Sequence, residues 1–390
     1  MNTSPSFKGT KLPAVSVASF CRTPVARAGR ELSAVPAVQL AAVAGKRAIV
    51  LSGLSDRITC AVYGSSRLAG QGVNPARVFS LNSGLGEEIP AFTVSCACSS
   101  GIEALLCAWR MIALGEADAV LVGAAENMSS TPRALVPNWP DENSFRYVDL
   151  ASHDGLTCSV CGMTMPETAE SLARELGITR TACEEFAARS HSNYLKHRQF
   201  HEADLVEVHS ASGTLARDTL PRTNGQLAGM PKLRPIFGDD GVLTAATASS
   251  LADGGAAAVI CRTELAPSSP VLIAHSKSAI DPPHAPIAPI FAVRALLAAL
   301  DKGIEDIGHF ELNEGFAPQA IACIKELGLP AEKVNPFGGA LAIGHPTGMT
   351  PLRIAGLACR AIREGHSHNS VVTVPVSGGI GVALYIETPQ

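Results

Sequence analysis

The chain has 390 residues and a mass of 40.4 kDa, with 46% hydrophobic and 17% charged residues, which excludes a predominantly disordered protein. The net charge of −4 and the absence of a Lys/Arg run exclude a nucleic-acid partner. No apolar run reaches the roughly 18 residues that cross a bilayer, and residues 1–17 lack a signal-peptide core. We therefore expect a soluble, cytoplasmic protein without a membrane partner.

Strand and helix patterns alternate along the chain, which predicts an α/β fold with layers of helices and sheets. The first series comprises a helix at 36–44, a strand at 58–63, a helix ending near 81, an extended run at 91–95, a helix at 101–113 and a strand at 119–122. The second series comprises strands at 256–261 and 271–274, a helix at 289–300, a strand at 306–312, helices at 316–327 and 351–363, and strands at 371–374 and 381–386.

Residues between the two series lack this regular alternation of strands and helices. Residues 128–166 and 213–238 are irregular and rich in polar residues, Pro or Gly, and only 174–196 has a helical pattern. Long irregular stretches inside compact proteins are usually functional or interfacial. We therefore predict two duplicated α/β halves, residues 1–128 with 246–275 and residues 276–390, and an insertion at 129–245 that covers a site.

Cys98 stands where the extended run at 91–95 gives way to the next helix. A thiol at a helix N-terminus feels the positive end of the helix dipole, which is expected to lower its pKa and favour the nucleophilic thiolate. The neighbouring backbone N–H groups can also hold an oxyanion. The alternative is that Cys98 only fills a tight helix start.

His345 lies in the Gly-rich turn that precedes the helix at 351–363, the corresponding corner of the second series. A lone histidine is usually structural, but with a helix-start cysteine in the same chain a Cys–His nucleophile pair is the better interpretation. Asn313 follows a predicted strand and could orient a water or the imidazole, or it could be a helix cap.

The eleven cysteines are an odd number in a large apolar chain, which argues against a disulfide framework. Cys158 and Cys161 form a C-x-x-C pair, but no second pair with zinc-finger spacing accompanies them, so no metal site is predicted. Most of the cysteines are expected to be small buried hydrophobes.

Collectively these blocks resemble the thiolase family nearly from end to end. The matching segments are Arg22-Thr23-Pro24, residues 70–77, 90–101, 115–118, 126–129, 154–157, 162–164, 233–237 and 244–249, Asn313-Glu314-Gly315-Phe316 and Gly344-His345-Pro346. The resemblance implies a five-layer αβαβα fold, a homodimer or homotetramer, and ping-pong transfer of an acyl group from acyl-CoA, without any cofactor beyond this coenzyme A thioester.

The resemblance also implies roles for individual residues. Cys98 would attack the thioester after activation by His345, and His345 with a water held by Asn313 would form one oxyanion hole. The N–H groups of Cys98 and Ser377 would form the other. The implied substrate and coenzyme A contacts are Ser249, Arg222, Ala245, Phe237 and Phe316, although Arg222 matches on spacing alone and could equally be a solvated surface residue.

One departure from the family's pattern concerns the last motif, Cys-x-Gly-x-Gly, whose cysteine is the acid/base for the Cα proton. Pro375 occupies that cysteine position and Ser377 the position of the oxyanion-hole glycine. Proline cannot titrate, and general acid/base catalysis is worth roughly 10²–10⁴-fold in rate. Ordinary Claisen condensation should therefore be impaired unless another group substitutes. Val160 also replaces the usual His, and Gly315 the usual Ala.

Four hypotheses follow. The first is a thiolase, an acyl-CoA C-acyltransferase, with another base, for which Cys158, Cys161 and His153 are candidates. The second is an acyltransferase to an amine, an alcohol, an activated carbon or a decarboxylating malonyl thioester. The third is a thioester hydrolase, and the fourth is a non-catalytic CoA-binding subunit. Retention of Cys98, His345 and Asn313 favours an enzyme with a Cys98 S-acyl intermediate.

Overall fold

Strands and helices alternate through a computed structural model that describes residues 8–211 and 213–389, apart from the side chain of residue 142. The start of segment 1–17, predicted to lack a signal-peptide core, lies outside the described residues. The strands are β1 (Thr10–Arg22), β2 (Ala26–Arg27), β3 (Ile58–Gly64), β4 (Ala91–Val94), β5 (Ala119–Asn127), β6 (Arg133–Asn138), β7 (Asp141–Asp149), β8 (Val208–Ser210), β9 (Gly213–Leu215), β10 (Ala252–Arg262), β11 (Val271–Ala279), β12 (His309–Leu312), β13 (Asn369–Val376) and β14 (Ile380–Glu387). The helices are α1 (Ala37–Ser52), α2 (Pro75–Asn82), α3 (Ser100–Ala113), α4 (Leu150–His153), α5 (Met165–Glu175), α6 (Arg180–Lys196), α7 (Arg198–Glu202), α8 (Asn224–Leu227), α9 (Ala288–Leu300), α10 (Ala317–Leu327), α11 (Ala340–Ile343) and α12 (Thr350–Arg363).

The large sheet repeats one pattern in its two halves. In the first half β4, β3 and β5 pair in parallel, and β5, β10 and β1 pair antiparallel. In the second half β12 and β13 pair in parallel, and β13, β14 and β11 pair antiparallel. In the second half a parallel bridge between Phe310 and Val334 takes the place that β4 has in the first. The two halves join where β1 pairs with β11. The repeated topology agrees with the predicted duplicated α/β fold, although residues 271–275, predicted to end the first half, belong to β11 and pair with β14 in the second.

Three apolar cores hold the layers together, a central one around α3 and α12 and one beneath the outer helices on each side. The strands are buried on both faces, so alternate residues of a strand enter different cores. In β3, Val62 enters the central core, whereas Ala61 and Tyr63 enter the outer core beneath α1 and α2. In β13, Val372 faces the central core and Val371 the second outer core, beneath α9 and α10. Helices α3 and α12 lie between the two half-sheets, so the predicted αβαβα fold is confirmed.

Close packing of α3 against the segment leading into α12 depends on a small residue. A Cβ atom added to Gly101 would lie 2.6 Å from the carbonyl oxygen of Gly348 and 3.2 Å from the Cβ of Leu352. No larger side chain fits this contact without backbone movement. The two corners predicted to carry chemistry, before α3 and before α12, are therefore brought side by side.

Within the described residues, one helical segment, Pro282–Leu300, is long and apolar enough to cross a membrane by length and composition. Its buried side chains Ile290, Val293 and Leu296 belong to the second outer core. These contacts are the ones expected of a core helix.

Two predictions for residues 128–196 are wrong. The segment 128–166 is not irregular throughout, because β6 and β7 form a hairpin there. The helix predicted at 174–196 is two helices, since α5 ends at Glu175 and α6 begins at Arg180. Gly177, with φ of 62°, turns the chain between them, and Thr179 caps α6 by accepting a hydrogen bond from the Ala182 N–H at 3.2 Å.

Candidate active site

Two cavities meet at Cys98. The larger part of the predicted site lines a mainly apolar cavity of about 230 Å³, here called the apolar cavity. Its lining includes Cys98, Gly155, Leu156, Met165, Pro166, Ser249, Asn313, Phe316, His345, Thr347, Pro375 and Ser377. A second cavity of about 360 Å³, here called the loop cavity, is lined by Ser66, Ala97, Cys98, residues 154–155 and 157–160, Thr347, residues 377–378 and Ile380. The two share Cys98, Gly155, Thr347 and Ser377.

Cys98 is held in a tight turn between β4 and α3. Ala97 has a left-handed φ of 44°, which is unusual for a residue with a side chain. The Ser99 N–H donates to the Cys96 carbonyl at 3.0 Å, and the Cys96 N–H donates to the Ser100 hydroxyl at 2.9 Å. The strain at Ala97 thus presents the Cys98 side chain to both cavities.

The expected lowering of the Cys98 pKa is wrong. Although Cys98 is only half-buried because it opens on the cavities, burial of its sulphur raises the thiol pKa to about 11. The Arg67 guanidinium opposes this effect, whereas Glu126 adds to it. Desolvation therefore outweighs the helix N-terminus, and the nucleophile needs a base to lose its proton.

His345 has a defined tautomer. The Thr350 hydroxyl donates to the Pro346 carbonyl at 3.0 Å, and the same oxygen lies 2.8 Å from His345 Nδ1. A hydroxyl has a single proton, so its oxygen accepts from Nδ1–H and leaves Nε2 as the basic nitrogen. Asn313 Nδ2 lies 3.5 Å from Nε2, and Asn313 Oδ1 is buried without a partner among the described residues.

The imidazole of His345 is neutral at physiological pH. Its burial lowers the pKa to about 3, and the guanidinium groups of Arg353 and Arg67 lower it as well. A neutral imidazole with an unprotonated Nε2 can accept the Cys98 proton during the reaction, but it does not form a resting ion pair with the thiolate.

A buried carboxylate, that of Glu126, lies between the end of β3 and the turn that follows His345. Glu126 Oε1 accepts from the Ser65 hydroxyl at 2.8 Å and the Arg67 N–H at 3.0 Å. Glu126 Oε2 accepts from the Gly348 N–H at 2.7 Å and the Thr347 hydroxyl at 3.1 Å. The end of β3 is thereby fixed to the turn that carries His345.

Arg67 is a buried cation that the sequence analysis missed. Its side chain donates from Nη1 to the Thr347 hydroxyl at 2.6 Å, while Nε and Nη2 are buried without a partner among the described residues. A Cβ on Gly155 would lie 2.3 Å from Arg67 Nη2, so the guanidinium packs directly behind the cavity wall. The available signal was an arginine directly after an apolar strand in a Gly/Ser-rich segment.

Pro375 and Ser377 stand at the end of β13. Pro375 lines the apolar cavity with its ring, and Ser377 lines both cavities. Pro375 offers neither a titratable group nor an N–H to the substrate. Position 375 itself therefore supplies no acid/base group to the apolar cavity.

The predicted coenzyme A contacts divide into two groups. Ser249 and Phe316 line the apolar cavity, where the Ser249 N–H donates to the Gly315 carbonyl at 3.0 Å. Arg222, Phe237 and Ala245 line neither cavity. Arg222 is half-buried and its N–H donates to His191 Nδ1 at 3.1 Å, Phe237 is half-buried and Ala245 is exposed. The structure does not bring these three together with Cys98.

Within the part of the chain that the structure describes, no group of three or more His, Cys, Asp or Glu side chains is arranged to hold a metal ion. The functional groups that meet at Cys98 are a thiol, an imidazole, an amide and hydroxyls, which suit acyl transfer through a covalent thioester.

Comparisons with known proteins agree with this geometry. The family described as Thiolase, N-terminal domain, matches residues 15–264, and Thiolase, C-terminal domain, matches residues 267–388. A Staphylococcus aureus relative named "Probable acetyl-CoA acyltransferase" is 34% identical, with 95% of this chain and 98% of the relative covered.

Solved structures give the same result. The acetyl-CoA acetyltransferase of Bacillus anthracis has a TM-score of 0.92 at 30% identity, covering 97% of this chain and 99% of that one. An Ascaris suum thiolase in complex with coenzyme A has a TM-score of 0.90 at 29% identity, covering 96% and 99%. The fold, the sequence and the paired catalytic corners place this chain in the thiolase family.

Proposed function

We propose that the chain is an acyl-CoA C-acyltransferase that works through an S-acyl intermediate on Cys98. The observation that carries this proposal is the convergence of Cys98, His345, Asn313 and Ser377 on one apolar cavity. The names of the relatives, acetyl-CoA acyltransferase and acetyl-CoA acetyltransferase, support acyl-CoA as the donor, and the coenzyme A in the Ascaris suum structure supports it further. We propose no cofactor besides this thioester.

The first half-reaction follows from the tautomer of His345. Nε2 takes the proton of the Cys98 thiol, and the sulphur attacks the thioester carbonyl of acyl-CoA. The N–H groups of Cys98 and Ser377 hold the oxyanion of this step, and Asn313 Oδ1, unpartnered within the described part of the chain, can hold the water of the second oxyanion hole beside His345. The C–S bond to coenzyme A then breaks, and the departing thiolate takes the proton from Nε2. The acyl group remains on Cys98.

The lining of the apolar cavity limits the acyl groups that fit. Leu156, Met165, Pro166 and Phe316 face it, so an apolar chain is favoured over a charged one. Pro375 adds a further apolar surface at the position of the missing cysteine. In the second half-reaction the acyl group passes to the α-carbon of another acyl-CoA, or back to coenzyme A.

Intact-protein mass spectrometry after mixing with acetyl-CoA and longer acyl-CoAs tests the proposal. The wild type is expected to gain the mass of one acyl group, and Cys98→Ala is expected to gain none. Cys107→Ala is the matched control, because Cys107 is half-buried on α3 outside both cavities. Absence of an adduct with every donor, alongside measurable coenzyme A binding, would instead indicate a binding subunit.

We further propose a homo-oligomer in the cytoplasm. The β6–β7 hairpin exposes Leu135, Trp139, Phe145 and Tyr147, with 72% of the Trp139 surface accessible. Exposed apolar clusters of this kind mark protein–protein contacts, and a second copy of this chain is the proposed partner. Light scattering of the wild type and a Trp139→Ser/Phe145→Ser variant tests this, with a smaller assembly expected for the variant.

A further inference from the structure

The loop cavity contains a second thiol beside the acylation site. Cys158 lines it together with Cys98 and Ser377, although the three come from distant parts of the chain. The Cys158 side chain is buried, whereas the next two residues, Ser159 and Val160, are exposed. The loop after α4 thus folds this one sulphur inwards, against the wall that the two cavities share.

Backbone hydrogen bonds fix the loop around Cys158. The Cys158 N–H donates to the Met163 carbonyl at 2.8 Å, and the Gly162 N–H donates to the Cys158 carbonyl at 2.8 Å. Gly162 has φ of 74°, which closes the turn. The C-x-x-C segment is therefore curled, so that the backbone N–H groups of Val160 and Cys161 reach the Cys158 sulphur.

Four groups stabilise a negative charge on this sulphur. Burial by itself raises the Cys158 pKa, but hydrogen bonds from the N–H groups of Cys161 and Val160, the Cys161 thiol and the Ser377 hydroxyl together bring the pKa below its usual value. Burial raises the pKa of Cys98, so the two thiols of the shared site have opposite tendencies. One is a proton-bearing nucleophile and the other is suited to act as a thiolate base.

Carbon–carbon bond formation next to a thioester requires a base for the Cα proton. The titratable side chains that line the two cavities are Cys98, Asp154, Cys158 and His345. Cys98 carries the acyl group, and His345 Nε2 accepts the proton of the Cys98 thiol. The Asp154 carboxylate is exposed and pairs with His153 Nδ1 at 2.6 Å. Cys158 alone among these is buried, unassigned and next to Ser377.

We propose that Cys158 is the acid/base of the second half-reaction, where it substitutes for a titratable group at Pro375. The proposal rests on the acyltransferase function proposed above. The Cys158 thiolate removes a Cα proton from the second acyl-CoA, so a C–H bond breaks and an S–H bond forms. The carbanion attacks the acyl carbonyl on Cys98, a C–C bond forms and the Cys98–acyl bond breaks. The proton then passes to the departing Cys98 thiolate, so that atoms and charge balance.

The test separates the two half-reactions, using acetyl-CoA as the probe. Adduct formation on Cys98 reports the first, and exchange of the acetyl methyl protons in D₂O, followed by mass spectrometry, reports Cα deprotonation. We expect Cys158→Ala and Cys158→Ser to form the adduct within about twofold of the wild-type rate, and their exchange to fall by roughly 10²-fold or more. The matched control is Cys183→Ala, a buried cysteine on α6 outside both cavities, which should leave both readouts unchanged.

The outcomes are distinguishable. Equal exchange in the wild type and both Cys158 variants would overturn the role of Cys158, as would a wild type that forms the adduct but exchanges no faster than the uncatalysed reaction. Loss of the adduct in both variants would also overturn it, because Cys158 would then serve acylation or folding. A wild type without any adduct would overturn the acyltransferase function itself.

Discussion

The pH dependence of Cys98 alkylation tests the electrostatics of the site directly. Burial raises the Cys98 pKa to about 11 and lowers the His345 pKa to about 3. Between these values the resting pair is a neutral thiol and a neutral imidazole. Iodoacetamide reacts with the thiolate, so its rate should follow the ionised fraction of Cys98 alone.

The magnitude follows from the raised pKa of the Cys98 thiol. At pH 7, four units below a pKa of about 11, roughly one Cys98 in 10⁴ is ionised, and the fraction rises tenfold with each pH unit. Alkylation should therefore accelerate about 10³-fold between pH 7 and pH 10, without a plateau. The assay is peptide mass spectrometry of the Cys98-containing fragment after timed labelling, with Cys98→Ala to identify the fragment.

A rate that is already constant between pH 4 and pH 7 would refute this reasoning, because it would require a thiolate–imidazolium pair with a depressed Cys98 pKa. Arg67→Met provides a second check. The Arg67 guanidinium is the strongest influence that lowers the Cys98 pKa, so its removal should displace the profile to higher pH. A shift to lower pH would contradict the placement of that charge behind Cys98.

Two further predictions concern the tautomer of His345 and a buried ion pair. Thr350→Val removes the acceptor of His345 Nδ1–H, so Nε2 loses its role as the basic nitrogen and the rate of Cys98 acylation in quenched-flow mass spectrometry should fall about tenfold to hundredfold; an unchanged rate would exclude the assigned tautomer. Arg22→Met leaves the Asp218 carboxylate, now bound at 2.7 and 2.8 Å, buried without its ion pair. Urea denaturation should show a loss of about 3–5 kcal/mol, and Arg22→Met/Asp218→Asn should recover part of it.

The layered fold was predictable because its signal is local. Runs such as residues 119–125 are apolar throughout, which is typical of strands covered on both faces, and Gly residues mark the ends of the central helices. The structure of the insertion at 129–245 was harder to predict. Trp139 and Tyr147 are exposed on the β6–β7 hairpin, so the apolar residues there do not mark the buried positions. Gly177 interrupts a segment whose sequence has a helical pattern on both sides.

The site was predictable only where a local motif carries it. Cys98, His345 and Asn313 each lie at a strand or turn end that is visible in the sequence. The pKa of Cys98 was not predictable from the sequence. It depends on burial and on the charges of Arg67 and Glu126, which other parts of the chain bring to the site. Cys158 was one of three suggested bases, and only the three-dimensional loop distinguishes it from the exposed His153.

The position of β1 has a consequence for how the protein is made. The strand β1, Thr10–Arg22, is hydrogen-bonded on one side to Ala252–Arg262 and on the other to Val271–Ala279, and both partners follow it far along the chain. Neither sheet partner exists until more than half of the chain has been synthesised. Both edges of β1 are therefore open during translation, when unpaired strands invite association with other chains. We expect slow folding that is completed only after residue 279 emerges, so that the nascent chain depends on protection by chaperones.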